Sequence, residues 1–260
     1  MDKFDVAIVG GGPVGVALAV ELGQRGVRTA LVERHTQPVR IPKGQNLTNR
    51  TLEHFYFWQC VDELRAARIM PAGYPIGGTT AYGNLMSPYW HAQRGVVAGR
   101  SGPERLEYFF QANERLPQYC TEAVLRARLA QLPSVTTLFG WTAERIEQDG
   151  NGASAVIAPS DEGAFYSWSA DTQQQVNQDS VSKAGQQTIQ ASYLVGCDGG
   201  RSLARESLGI DRGGRDFDQR MVLAVLRSKE LHEALKRFPD GTTYRVLKPE
   251  LKGFWQFFGR

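Results

Sequence analysis

Residues 5–22 read Asp5-Val-Ala-Ile-Val-Gly10-Gly-Gly12-Pro-Val-Gly15-Val-Ala-Leu-Ala-Val-Glu-Leu22, and this stretch decides the fold. The apolar, mostly β-branched run before Gly10 predicts a strand that is buried on both faces. Gly10 permits a sharp turn out of that strand, Gly12 lets a ligand approach the backbone, and Gly15 lets a helix lie close against the strand. The pattern therefore predicts a strand, a glycine turn and a helix.

The helix after the turn should begin near Pro13, because a proline in the first helical turn gives up no hydrogen bond. Val14, Leu18 and Leu22 recur at helical spacing, so we expect them to form one apolar face. The N-terminus of this helix would present N–H groups and a partial positive charge, which suits a phosphate group.

Glu33 is the acid that completes the pattern. It ends a second predicted strand, residues 27–32, and lies 23 positions after Gly10. A carboxylate at this place can accept hydrogen bonds from both hydroxyls of a ribose, and it would repel a 2′-phosphate. The set of residues favours the ADP half of FAD or NAD over NADP. An ordinary glycine-rich loop is the alternative if the glycine motif is taken alone.

The composition is that of a globular protein. The chain has 260 residues, 42% hydrophobic and 22% charged, with a formal net charge of +3. The basic residues are scattered, which predicts no nucleic-acid partner. No apolar stretch is long enough to span a membrane. Cys60, Cys120 and Cys197 are far apart and odd in number, so neither a disulfide framework nor a metal site is indicated, and a cytoplasmic location is expected.

Two further segments, taken with the glycine turn and Glu33-Arg34, resemble a known family. They are Leu116-Pro-Gln118-Tyr-Cys-Thr-Glu122-Ala-Val-Leu125 and Tyr193-Leu-Val-Gly-Cys-Asp198-Gly199-Gly200-Arg201-Ser202-Leu-Ala-Arg205. With these motifs the chain resembles the single-component FAD-dependent aromatic hydroxylases, the flavoprotein monooxygenases related to p-hydroxybenzoate hydroxylase and phenol hydroxylase. The segment around Asp198-Gly199 is the most specific of them, because NAD-dependent dehydrogenases do not carry it.

The resemblance implies an α/β fold in which a Rossmann-like FAD-binding domain of the glutathione-reductase type carries an inserted mixed-sheet substrate domain. We expect residues 1–75 to form the first part of the FAD-binding domain and 111–210 its second part, with a β-hairpin insertion. Residues 76–110 would be the first substrate-domain strands or a covering loop, and 211–260 the start of that domain. The family's late Gly-Asp flavin motif has no counterpart before Arg260. The chain is therefore expected to be truncated on its C-terminal side and inactive by itself.

The resemblance also implies roles for individual residues. Glu33 would hold the adenosine ribose, Gln118 would contact the flavin side of the cofactor, and Lys43 stands where the family usually has an arginine close to FAD. Asp198 and Gly199 would lie near the pyrophosphate and the approach of the nicotinamide cofactor. Gln118 could instead only cap a helix, and Asp198 could only order a turn. The cofactor-binding set is Gly10, Gly12, Pro13, Val14, Gly15, Glu33, Arg34, Lys43, Gln118, Asp198 and Gly199.

The activity implied by the resemblance is hydroxylation of a small phenolic or related aromatic substrate. FAD would be the cofactor, NADH or NADPH the reductant and O2 the oxidant, with a homodimer as a possible assembly. No catalytic side chain and no metal ligand is identified. The alternatives are a halogenase or oxidase-like flavin enzyme on the same scaffold, a non-catalytic FAD- or NAD-binding fragment, and an NAD-dependent dehydrogenase, against which Asp198-Gly199 counts.

Overall fold

The computed structural model describes residues 3–41, 43–69, 75–97, 107–160, 185–214, 226–238, 241–248, 250 and 253–258. The chain forms two compact units. The first comprises Met1–Arg40 and Gln118–Phe217, and the second comprises Ile41–Pro117 and Asp218–Arg260. Each unit is therefore built from two separate stretches of sequence.

The described part of the chain contains both strands and helices. The strands are β1 (Phe4–Val9), β2 (Thr29–Glu33), β3 (Asn46–Leu47), β4 (Pro75–Tyr82), β5 (Trp90–Val97), β6 (Glu114–Arg115), β7 (Val135–Phe139), β8 (Trp141–Asp149), β9 (Gly152–Pro159), β10 (Gln187–Gly196), β11 (Gly241–Lys248) and β12 (Gly253–Phe258). The α-helices are α1 (Pro13–Gly23), α2 (Asn49–Phe57), α3 (Val61–Ala66), α4 (Gln118–Leu129), α5 (Leu203–Ser207) and α6 (Lys229–Leu235).

The first unit is built on a sheet with the strand order β7-β2-β1-β10-β9-β8. β1 lies in its interior and pairs in parallel with both β2 and β10. Ile8 and its β2 partner Leu31 are fully buried, as the apolar run before the glycine turn predicts. The sheet is completed by the antiparallel strands β9 and β8. This arrangement brings the carboxyl ends of the parallel strands β1, β2 and β10 to one edge of the sheet.

Helix α1 begins at Pro13, as predicted, but the expected apolar face was wrong. Val14 is 67% exposed, whereas Val16, Ala19 and Val20 are fully buried. The reason is the close approach of the helix to the turn before it. Small residues must face inward where the backbones meet, and this rotates Val14 outward, next to the glycine turn.

The second unit contains a sheet with the order β12-β11-β4-β5. β11 pairs in parallel with β4, which brings together segments that are far apart in sequence, and the other pairs are antiparallel. Leu235, Phe238 and Tyr244 form the core on one side of this sheet. The unit also contains α2, α3 and the short antiparallel ladder of β3 with β6.

Polar contacts hold the α2–α3 region to the chain that precedes α4. Thr48 caps α2 by accepting the Thr51 N–H, and the Asn49 side chain donates to the Gln111 carbonyl at 2.8 Å. Glu114 is 1% exposed and forms ion pairs with Arg65 and Arg68. A buried carboxylate is compatible with folding when it is paired in this way.

The predicted α/β class with mixed sheets is confirmed. The compact units change at residues 40/41, 117/118 and 217/218, whereas the expected boundaries fall after 75, 110 and 210. Residues 41–75 thus belong to the same unit as β4 and β5. Parts of the expected segments, 98–106 and 215–225, lie outside the described residues. The functional assignment of the segments stays a prediction. Among the described helices, none has the length and apolar character that a membrane crossing requires.

Candidate cofactor site

The glycine turn between β1 and α1 is dictated in part by the packing of the chain on itself. Gly10 has φ +100°, and its N–H donates to the Val32 carbonyl at 2.9 Å. A Cβ on Gly10 would lie 2.4 Å from the Cys197 carbonyl oxygen, and one on Gly15 would lie 1.8 Å from the Gly10 oxygen. No side chain fits at either place. Gly10 and Gly15 are therefore required by the fold itself, whether or not a ligand binds.

Gly12 differs from its neighbours, because nothing in the chain requires a glycine there. Its φ of −68° is accessible to any residue, and a Cβ would meet no atom within 4 Å. Gly12 is the N-cap of α1, no side chain caps this helix, and the first N–H groups of a helix have no partner within it. A bare backbone beside free N–H groups is the surface that a diphosphate needs. The turn therefore fits the pyrophosphate of a dinucleotide.

Glu33 lies against this turn. The side chain is 9% exposed; its Oε2 accepts the Gly11 N–H at 2.7 Å, and its Oε1 accepts the His35 N–H at 2.8 Å. Each carboxylate oxygen keeps a further lone pair, so both can still accept bonds from hydroxyl donors. A ribose diol supplies such donors. This position is compatible with ribose binding by Glu33, which stays a prediction.

Gly11 was missed by the sequence reasoning. A Cβ on Gly11 would lie 2.5 Å from the Glu33 Cβ, so a side chain would push the acid away from the turn. The available signal was the unbroken run of three glycines, residues 10–12. Gly11 allows the acid to reach the backbone of the turn, and it belongs with the predicted site residues for that reason.

Arg126 of α4 was also missed. Its Nη1 donates to the Thr36 carbonyl at 2.9 Å and its Nη2 to the His35 carbonyl at 3.4 Å. The guanidinium carbon lies 4.2 Å from the centre of the Phe139 ring. Burial lowers the pKa of Arg126, while the charges of Glu33 and Glu122 act to raise it. An arginine nevertheless stays protonated near neutral pH. A usable signal was its place at the eighth position after Gln118 on the same helix.

Gln118 begins α4 and uses its amide within that helix. Its Nε2 donates to Glu122 Oε1 at 2.7 Å, and Glu122 is 8% exposed. This bond turns the amide nitrogen toward Glu122 and leaves the carbonyl oxygen Oε1 of Gln118 to serve as an acceptor. The contact between Gln118 and the flavin side of the cofactor stays a prediction.

Asp198 organises the chain that leaves β10. Its Oδ1 accepts the Ser202 hydroxyl at 2.6 Å, and its Oδ2 accepts the Ala204 N–H at 3.1 Å. Gly199 has φ +80°, a conformation that favours glycine. Both residues therefore order the turn into α5, in line with the alternative reading of Asp198. Their approach to the pyrophosphate or the nicotinamide cofactor stays a prediction.

Cys197 connects the turn after β10 to the glycine turn after β1. Its N–H donates to the Val9 carbonyl at 2.7 Å, and its own carbonyl lies where a Gly10 side chain would be. Burial, followed by the charge of Asp198, raises the pKa of the Cys197 thiol. The structure therefore brings Gly10 and Asp198 together at the ends of neighbouring parallel strands.

Arg34 and Lys43 are the remaining predicted residues. Arg34 is exposed and directly follows Glu33 in the first unit. Lys43 is exposed and belongs to the second unit. A cofactor contact of either residue stays a prediction. Among the described residues no group of three or more His, Cys, Asp or Glu is arranged to hold a metal ion.

The parallel strands, the glycine turn and the buried acid define the first unit as a dinucleotide-binding fold. A family model described as "FAD binding domain" matches residues 3–254 of the chain. The chain therefore belongs to this family of FAD-dependent flavoprotein aromatic hydroxylases. The predicted family membership is confirmed, and FAD is the dinucleotide that the family binds.

Relatives in the same family are similar at a modest level. A 3-(3-hydroxy-phenyl)propionate/3-hydroxycinnamic acid hydroxylase of Mycolicibacterium smegmatis is 27% identical over 227 residues, which cover 87% of this chain and 34% of the relative. A rifampicin monooxygenase of Streptomyces venezuelae is 30% identical over 233 residues, which cover 89% of this chain and 39% of the relative. The chain thus spans between a third and two fifths of the length of these relatives.

A solved structure has the same fold. The flavin-dependent monooxygenase PieE, in complex with FAD and substrate, matches with a TM-score of 0.71 and 23% sequence identity. The match covers 99% of this chain and 41% of the PieE chain. It confirms the fold expected for an FAD-binding domain of this family.

Proposed function

We propose that this chain is the FAD-binding part of an NAD(P)H-dependent monooxygenase that hydroxylates a small phenolic or related aromatic compound. The observation that carries the proposal is the bare backbone at Gly12, next to the Glu33 carboxylate on the glycine turn. The packing of the chain requires Gly10 and Gly15, and the Glu33 side chain requires Gly11, whereas at Gly12 the space beside the backbone is open to a ligand.

The substrate class is supported by what related proteins are said to act on. The Mycolicibacterium smegmatis relative hydroxylates hydroxylated phenyl compounds, according to its name, and the Streptomyces venezuelae relative is a monooxygenase of rifampicin. Both substrates contain aromatic rings with oxygen substituents. At 27–30% identity the particular substrate does not transfer, so we propose the class and no single compound.

Different residues of the first unit would bind different parts of the cofactor. The N–H groups at the start of α1 would bind the diphosphate oxygens, with Gly12 leaving the space. Glu33 would accept the ribose hydroxyls, and its negative charge would oppose a 2′-phosphate at the same place. Gln118 would offer its amide oxygen as an acceptor on the flavin side. These residues bind and orient, and we assign no proton transfer to any of them.

Bound FAD would supply the hydride transfer from NADH or NADPH and the activation of O2, which protein side chains cannot provide. The chain's part is to hold the cofactor in one orientation and to favour FAD over a phosphorylated dinucleotide. Because the chain spans about a third to two fifths of its relatives, cofactor binding and turnover need separate tests.

The binding test is titration of the purified chain with FAD, followed by the quenching of flavin fluorescence. We expect saturable binding of FAD, and much weaker competition by NADP than by ADP-ribose, because Glu33 opposes the 2′-phosphate. A chain that leaves flavin fluorescence unchanged at all protein concentrations would contradict the proposed cofactor site.

The turnover test is oxidation of NADH and NADPH in the presence of FAD and a panel of phenols. Hydroxylation predicts a product heavier by one oxygen atom, which carries the label when the reaction runs under ¹⁸O2. NAD(P)H oxidation that no phenol accelerates, with no labelled product, would agree with the expectation that this chain is inactive by itself. It would contradict hydroxylation by this chain and leave FAD binding in place.

A further inference from the structure

Glu33 and Arg126 bind the two backbone groups of the same residue, His35. The His35 N–H donates to Glu33 Oε1 at 2.8 Å, and the His35 carbonyl accepts from Arg126 Nη2 at 3.4 Å. Arg126 Nη1 holds the next carbonyl, that of Thr36, at 2.9 Å. The two side chains therefore fix one short segment, residues 35–36, which begins two positions after Glu33.

Arg126 is held in a manner that a lysine could not reproduce. The guanidinium donates to two successive carbonyls and stacks over the Phe139 ring at 4.2 Å. A planar fork can do both at once, whereas an ammonium group is a point charge without a face to stack. The specific shape of arginine is thus used at this position.

The positive charge of Arg126 also compensates the negative charges of two buried acids. Glu33 is 9% exposed and Glu122 is 8% exposed, and both attract the guanidinium. A buried charge without a partner strongly disfavours the folded state. The Arg126 Nε is buried and has no hydrogen-bond partner among the described residues, so the hydrogen bonds of the guanidinium are those of Nη1 and Nη2. Its contacts instead support the segment and the acids around it.

We infer that Arg126 is a positioning residue for the adenosine end of the FAD site, acting through the Glu33 carboxylate and the backbone of residues 35–36. Glu33 carries the direct contact to the ribose, and Arg126 keeps the carboxylate and the following peptide in the geometry that this contact needs. The inference rests on the proposed binding of FAD and adds to it a residue outside all the cofactor motifs.

The test compares Arg126→Met with Arg126→Lys, and with Arg128→Met as the matched control. Arg128 lies on the same helix and donates to Gln131 at 2.9 Å, away from residues 35–36. Dissociation constants are measured for FAD and for an FAD analogue whose adenosine ribose carries no hydroxyl groups. The unmodified chain should bind the analogue about tenfold more weakly than FAD, the effect of losing about one hydrogen bond to a charged group.

Arg126→Met should bind FAD about tenfold more weakly than the unmodified chain but should bind the analogue with nearly unchanged affinity. The preference for FAD over the analogue is then lost, which a merely structural role would not cause. Arg126→Lys should lose part of the preference, and Arg128→Met should keep all of it. If Arg126→Met does not fold, as judged by circular dichroism, Arg126→Lys alone decides the matter.

Two results would overturn the inference with the proposed function left standing. One is FAD binding by the Arg126 variants with unchanged affinity. The other is an equal loss of affinity for FAD and analogue, which would assign Arg126 to general stability. Failure of the unmodified chain to bind FAD would overturn the proposed function and this inference together, so the two failures are distinguishable.

Discussion

Gly12→Ala should leave the fold intact and yet strongly weaken FAD binding. The position has φ −68° and ψ −175°, which an alanine adopts without strain and which the following Pro13 favours. A Cβ at this place meets no protein atom within 4 Å. The methyl group would instead occupy the space through which a diphosphate reaches the N-terminus of α1. The substitution thus acts on the ligand and not on the chain.

The expected magnitudes follow from these two facts. Stability gains a little from the reduced freedom of the unfolded chain, by about 0.4–1 kcal/mol. It loses a similar amount because alanine is a poorer N-cap than glycine, so the net change in the free energy of unfolding should stay within about 0.5 kcal/mol. Displacing the diphosphate should remove about one to two hydrogen bonds to a charged group. Each is worth about 1.5 kcal/mol or more, so the FAD dissociation constant should rise about 10- to 100-fold.

Gly15→Ala is the matched control. Its Cβ would lie 1.8 Å from the Gly10 oxygen, so the backbone of the turn must move. The free energy of unfolding from urea titrations should fall by about 1–3 kcal/mol, as overpacking typically does. Flavin fluorescence then gives the affinity for each variant. Normal FAD affinity in Gly12→Ala, or a loss of stability as large as that of Gly15→Ala, would refute the assignment of Gly12 to the ligand.

Three other outcomes follow from the same contacts. Glu33→Gln should weaken FAD binding about tenfold, because one of the two backbone N–H groups it binds then faces an amide nitrogen; titration checks this, and unchanged affinity would speak against ribose binding. Asp198→Ala should lower the free energy of unfolding by about 1–3 kcal/mol, because the Ala204 N–H and the Ser202 hydroxyl lose their acceptor; an unchanged urea midpoint would contradict it. The raised pKa of Cys197 means that less of this thiol is ionised at neutral pH. Its alkylation, measured by peptide mass spectrometry, should therefore accelerate only at a pH above the ordinary pKa of a thiol. Rapid alkylation near pH 7 would contradict this prediction.

The site residues that the sequence indicated are those whose role depends on near neighbours. Gly10, Gly15 and Pro13 lie within one short stretch, where strand, turn and helix follow from steric rules about glycine and proline. Glu33 could be found because the intervening helix and strand have standard lengths. The residues that escaped prediction depend on contacts with distant segments: Gly11 meets the Glu33 side chain, and Arg126 binds the carbonyls of residues 35–36.

The amino-acid sequence by itself therefore determined the strand, the glycine turn, the helix and the acid that follows, because these depend on local spacing, and its motifs indicated the FAD-binding family by their resemblance to it. Tertiary structure decided which face of α1 is buried, because the contact of Gly15 with Gly10 rotates the helix. It also decided the pairing of β4 with β11, and the use of the Asp198 carboxylate for the start of α5. These features depend on atoms from distant segments that lie within a few ångströms of each other. The spacing of residues along the sequence does not determine such distances.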